Sequence, residues 1–189
     1  MRVHEAEHLL GKYGGKSPWV GHCRAVARVA EKIAEALAGD WAVNTEAAYV
    51  LGLLHDIGRH RTHHPVRHGL EGYRLLSAGG HWREARACVS HLLHALDPET
   101  ASRYGLPGDM LPRSLEEKIL PLADFLVEGD QPTTLDARFA SLRHRYADDA
   151  VFMGRLARSE AWTRAFLQRL GPRLPRSAAD LAAAALAPG

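Results

Sequence analysis

The sequence is poor in sulfur and has no long apolar run. Two cysteines, Cys23 and Cys88, occur in 189 residues, so no disulfide framework beyond a single bridge can be built, and they do not form a closely spaced metal-binding pair. Each lies in an apolar helical pattern, which predicts a buried free thiol. No stretch reaches the roughly 18 apolar residues of a membrane-spanning helix. The opening MRVHEAEHLLGKYGG lacks the apolar segment of a secretion signal. The expected compartment is therefore the cytoplasm. An excess of one charge is also missing: 24 Lys and Arg against 22 Asp and Glu leave a net +2. That gives no field to favour nucleic acid or an anionic membrane, and no basic helix interleaved with aromatics stands out.

Periodicity of two is absent, and helical periodicity takes its place. Val26, Val29, Ile33 and Leu37 recur every three or four residues until Gly39-Asp40. Asn44-Thr45-Glu46 has the form of a helix start; that helix runs through Val50, Leu51 and Leu54 into His55, and Gly58 is expected to close it. A His- and Arg-rich loop containing Pro65 follows. A helix from Val66 or Arg67 stops at Gly79-Gly80, and another covers His81 to about Ala95, with Ala85, Cys88, Leu92 and Ala95 inward. Residues 97–113, rich in Pro and Gly, read as a long loop. Ser114 restarts a helix reaching Val127. Two or three amphipathic helices fill 134–170, and the Ala-rich tail is a last helix or a frayed end. With 46% hydrophobic residues, the chain reads as one all-α domain.

What is abundant is histidine, twelve in all, five of them in LLHDIGRHRTHHPVRHG from Leu53 to Gly69. A carboxylate at the buried end of an apolar helix is costly unless something positive pairs with it, and Asp56 is in that position. His22 lies one turn before Val26 on an apolar stripe. His68 shares a face with Gly72, a glycine that permits close approach. His91 shares the inward face of its helix with Cys88. Asp124 sits inside ILPLADFLV. A lone histidine on an apolar face is ordinarily a core residue bonded to a backbone carbonyl. Six such residues together point to a shared cation, because imidazole and carboxylate are the usual ligands of transition metals. His60, His63 and His64 occupy the loop, where exposure is the default; any of the three could serve as a proton donor, and the sequence does not choose among them.

His22, then His55-Asp56 in LLHDIG, then Asp124 in an apolar helix resembles the HD-domain metal-dependent phosphohydrolases. The likeness covers about Gly21 to Glu128. HGLEGYRLL with His68, ACVSHLLH with His91, and EKILPLADFLVEGD are closest in layout to the YqeK-type hydrolases, which split diadenosine tetraphosphate symmetrically at a di-iron centre. The resemblance implies a single HD-type helical domain over 1–189, with a motif-bearing core at about 21–128 and C-terminal helices at 134–187. It implies His22, His55, Asp56 and Asp124 as ligands of a shared site, with His68 and His91 completing a second and Asp56 bridging. One or two divalent or trivalent ions are implied, iron first, with Mn, Co, Ni or Zn suiting the same ligands.

Asp56 and Arg59 are the expected catalytic residues, and Arg59, Arg61, Arg67 and His64 the expected phosphate contacts. Arg59 stands where the family often has lysine, and Pro121 removes a backbone donor from the Asp124 helix. The expected partner is a small nucleotide or other phosphate substrate, with a homodimer left open and neither nucleic acid nor membrane expected. Two rivals remain: a di-iron oxygenase using the same six ligands, and a non-catalytic nucleotide-binding HD module.

Overall fold

The computed structural model describes residues 1–92, 98–108 and 110–188. The expected inward placement of Ala95 lies outside these. Among the described residues the fold is all-α, with ten α-helices: α1 (Val3–Gly14), α2 (Pro18–Leu37), α3 (Thr45–Leu54), α4 (Arg67–Ala78), α5 (Trp82–Ser90), α6 (Pro98–Arg103), α7 (Leu115–Phe125), α8 (Leu135–Arg145), α9 (Ala150–Leu170) and α10 (Ala178–Leu186). A two-residue hairpin, β1 (Val127–Glu128) and β2 (Gln131–Pro132), joins α7 to α8.

Local chemistry explains most helix starts. Pro18 opens α2, where its missing N–H is harmless. Side-chain oxygens of Asn44, Ser114, Thr134, Asp149 and Ser177 each accept a backbone N–H in the first turn of their helices. The α2 stripe of Val26, Val29, Ile33 and Leu37 is fully buried. Its C-terminal half packs with α7 to α10 in one apolar cluster, while its start packs with α1, α3, α4 and α5 in another.

Several boundaries differ from the expectations. The helix α1 was not anticipated. Residues 97–113 are not all loop, since α6 forms within them. Pro121 does not interrupt α7, which runs through it. The helix from Ser114 ends at Phe125, and Val127 enters the hairpin, whose strands are too short for an alternating pattern to register. Gly58 does not close α3. His55 caps α3, and Gly58 lies in a buried 3₁₀ turn, Ile57–His60. A Cβ on Gly58 would meet the His68 carbonyl oxygen at 1.8 Å and the Gly72 nitrogen at 2.4 Å. The glycine is there so that the turn and α4 can touch backbone to backbone. Cys23 and Cys88 are buried free thiols, and burial pushes both well up from the ordinary thiol range.

Candidate metal centre

Six polar side chains from five helices meet where those helices begin or end. His22 is in the second turn of α2 and His55 is the C-terminal cap of α3, with Asp56 next to it. His68 is in the first turn of α4, His91 caps α5, and Asp124 is the penultimate residue of α7. His55 and Asp56 are 0% and 1% exposed. The side chains of His22 and Asp124 keep 13% and 17% exposure and open the cluster to a cavity.

All four imidazoles are held the same way. Their Nδ1 atoms lie 2.7 Å from Gly129 O (His22), 2.7 Å from Gly52 O (His55), 2.9 Å from His64 O (His68) and 3.1 Å from Ala87 O (His91). A carbonyl only accepts, so each Nδ1 carries the hydrogen. In the neutral ring Nε2 is then a bare lone pair, and it is Nε2 that points inward. The backbone bond expected of a core histidine is thus also what sets each ring up as a ligand.

His22 Nε2 lies at hydrogen-bond distance from Asp124 Oδ1, but other inward atoms have no such partner. Among the described residues, His55 Nε2 and Asp56 Oδ1 are buried with no hydrogen-bond partner. His68 Nε2 is 2.9 Å from that Asp56 oxygen, but not in hydrogen-bonding orientation. His68 Nε2 and His91 Nε2 lie 3.4 Å apart. Two lone pairs facing each other at that range repel unless a cation lies between or beside them. Asp56 Oδ2 is 3.7 Å from His55 Nε2, 4.0 Å from His22 Nε2, and ion-paired with Arg59. Asp124 Oδ1 is 3.0 Å from His22 Nε2 and 3.9 Å from His55 Nε2.

Ligand atoms of His22, His55 and Asp124, and of His55, Asp56 and His91, each lie within 4.8 Å of one another, close enough to hold an ion. The donor set fits a divalent metal. Asp56 turns Oδ1 toward His68 and His91 and Oδ2 toward His22 and His55.

The electrostatics point the same way. Burial would raise the carboxyl of Asp56, yet the surrounding imidazoles, His55 and His68 foremost, hold it well below the usual range. Burial likewise acts to raise Asp124, and a proton shared with His22 Nε2 overcomes it, raising the His22 imidazole in turn. Burial lowers His55 to about 4, so its ring is neutral at physiological pH, as a metal ligand requires.

The chain matches the model of the HD domain over residues 19–127, more than half of its length. It belongs to the HD domain family. An uncharacterised protein of Methanocaldococcus jannaschii is 39% identical over 121 residues, 62% of this chain and 70% of that protein. Two proteins named tRNA (cytidine(56)-2'-O)-methyltransferase, from Thermoplasma volcanium and Picrophilus torridus, are 31% and 30% identical over 145 and 134 residues. These spans are 76% and 70% of this chain but only 41% and 38% of the methyltransferases. No solved structure matches the chain significantly. HD domains bind divalent metals and are generally hydrolases.

The expected phosphate contacts separate in space. Arg59 lines the cavity beside the cluster. Arg61 lines a different groove, with Tyr13, Glu71 and Arg74. Arg67 and His64 are exposed and line neither. His64 accepts the N–H groups of Val66 and Arg67 on Nδ1, and so shapes the start of α4 that carries His68. Of the three loop histidines, His63 reaches the cavity. His60 is turned onto Tyr13, with ring centroids 5.0 Å apart.

Sequence reasoning missed Arg138, Arg145, Tyr146 and Phe152, which line the same cavity. Arg138, Leu142 and Arg145 fall at i, i+4 and i+7, one helix face. That signal was readable, but neighbouring arginines at 143 and 155 conceal it.

Proposed function

We propose that this HD domain hydrolyses phosphate esters or anhydrides of nucleotides, with dinucleoside polyphosphates the first candidates and two iron ions the first candidate metals. The observation that supports this reading is the set of four inward Nε2 atoms around the buried carboxylate of Asp56 and the part-buried one of Asp124. His22, His55, Asp56 and Asp124 would hold one ion, and His68 and His91, with Asp56 bridging, a second. Cations bound there would lower the pKa of a water molecule toward neutrality and offset the charge gathering on phosphoryl oxygens.

The chain's own groups supply the remainder. Asp56 orients Arg59 through its Nε, and the guanidinium lies on the cavity wall where a phosphoryl oxygen would sit. His63, on the same wall, is the loop imidazole placed to give a proton to the leaving oxygen. Arg61 and Arg67 do not line that cavity. The chain spans only 41% and 38% of the two methyltransferases, so the activity in their names is not carried over to it.

The test is a nucleotide panel that includes dinucleoside polyphosphates, run with Fe, Mn, Co, Ni and Zn, with nucleotide products separated by chromatography and phosphate release as readouts, in air and under nitrogen. Hydrolysis at equal rates in both atmospheres is expected. Turnover that stops without oxygen would instead favour oxygenase chemistry at the same ligands. A metal-loaded protein inactive on the whole panel would favour a binding module.

A further inference from the structure

Part of the cavity wall comes from beyond residue 127, where the HD match ends. Arg138, Leu142 and Arg145 of α8, Tyr146 behind them and Phe152 of α9 share the cavity with the His–Asp cluster. Tyr146 and Phe152 lie ring on ring, with centroids 4.0 Å apart. Glu128, in the hairpin that leads away from Asp124, organises the two arginines. Its Oε1 accepts from Arg138 Nη1 at 3.1 Å, Arg145 Nη2 at 3.2 Å and Ser141 Oγ at 2.7 Å. One carboxylate holding two guanidiniums leaves this wall with a surplus positive charge. Arg138 keeps 14% side-chain exposure, and its Nε–H is buried without a partner. Two guanidiniums that share one carboxylate at a cavity wall keep donors to spare for an incoming anion.

We propose that Arg138 and Arg145 bind a second phosphoryl group of the substrate, remote from the one at the His–Asp cluster, with Tyr146 and Phe152 as the apolar wall beside it. The substrate class is then an oligophosphate rather than a monophosphate. This rests on the phosphate reading of the site given above, and it assigns the substrate's charge pattern to residues outside the HD match. Planar guanidiniums suit the task, because each can grip two phosphoryl oxygens at once.

The test is calorimetric titration of the full chain, as purified with its metals, against inorganic imidotriphosphate and against orthophosphate, with metal content measured afterwards. The imidotriphosphate used is the diimido form, in which both bridges are P–N–P and resist hydrolysis, and it is expected to bind at least about tenfold tighter than orthophosphate. Arg145→Gln, at a half-exposed side chain, should lose about tenfold for imidotriphosphate and less than about twofold for orthophosphate. Glu128→Gln, which releases both guanidiniums, should tighten imidotriphosphate binding.

Equal losses for the two ligands in Arg145→Gln, or no loss, would overturn the proposal. So would a Glu128→Gln variant that weakens binding as Arg145→Gln does, since a purely structural cluster moves both in one direction. Binding requires no turnover. A chain that hydrolyses nothing can therefore still show the subsite, and an active chain indifferent to Arg145→Gln refutes only the subsite.

Discussion

Asp56 is 1% exposed, with Arg59 on one oxygen and an unpartnered lone pair on the other. A buried anion of this kind is tolerated where positive charge surrounds it. The imidazoles supply part of that charge, and bound metal would supply the rest. His55→Ala should therefore remove metal and hydrolysis together, with elemental analysis as the check; unchanged metal content would remove His55 from the ligand set. Because metal binds only the folded chain, chelation should lower Tm. An ion present at 100 times its Kd adds about 2.7 kcal/mol, or roughly 5–10 °C for a chain of this size. His55→Ala should be insensitive to chelator. Arg59 tests the other side of the site. Arg59→Ala should raise KM for phosphate substrates about tenfold at unchanged metal content, and an unaltered KM would take Arg59 out of substrate binding.

At the scale of elements, two glycines do different work and should fail differently. Gly58 sits where the 3₁₀ turn touches α4, and a Cβ there collides with backbone at 1.8 Å. Gly58→Ala should cost roughly 1–3 kcal/mol in chemical denaturation and displace His68, whose carbonyl it strikes. Gly129 occupies the hairpin tip at φ 63° with open space around its Cβ position. Gly129→Ala should cost only the backbone strain, about 1–2 kcal/mol. Its carbonyl orients His22, so metal affinity should fall more than stability in that variant. A Gly129→Ala variant with unchanged metal affinity would contradict this account.

The helix content was readable from periodicity and capping residues, as at Asn44 and Ser114, because those signals act over one or two turns. The hairpin was not, because two-residue strands leave no alternation to detect. Nor was the role of Gly58, because its constraint is a contact with α4 rather than a local turn.

At the scale of the whole molecule, Glu116 ties α7 to the start of α3. It accepts the backbone N–H of Asn44 at 2.8 Å and the guanidinium of Arg83 at 3.0 Å. Burial would raise its carboxyl, but the bond from Asn44, with help from Ser114 and Arg83, holds it below the usual 4.5. Its folded-state pKa is therefore depressed. The stabilisation is complete above pH 4.5 and is lost as pH falls from there through the folded value. Glu116→Gln should flatten the fall of Tm below pH 4.5 and lower Tm at neutral pH; a Tm–pH curve parallel to that of the parent would show that Glu116 makes no such contribution.

The sequence by itself determined most of the helices, the placement of six polar residues on apolar helix faces or ends, and the resemblance that named them as one set. Those features depend on residue type and on spacing within a helix, which a linear reading preserves. Only the tertiary structure decided that Arg59 faces the cluster while Arg61 turns into another groove, that His63 is the loop imidazole at the cavity, and that Arg138 and Arg145 close the cavity from 70 or more residues beyond His68. In an irregular loop, direction has no period to read, and helices packed side by side bring together residues whose separation along the chain says nothing about their distance in space.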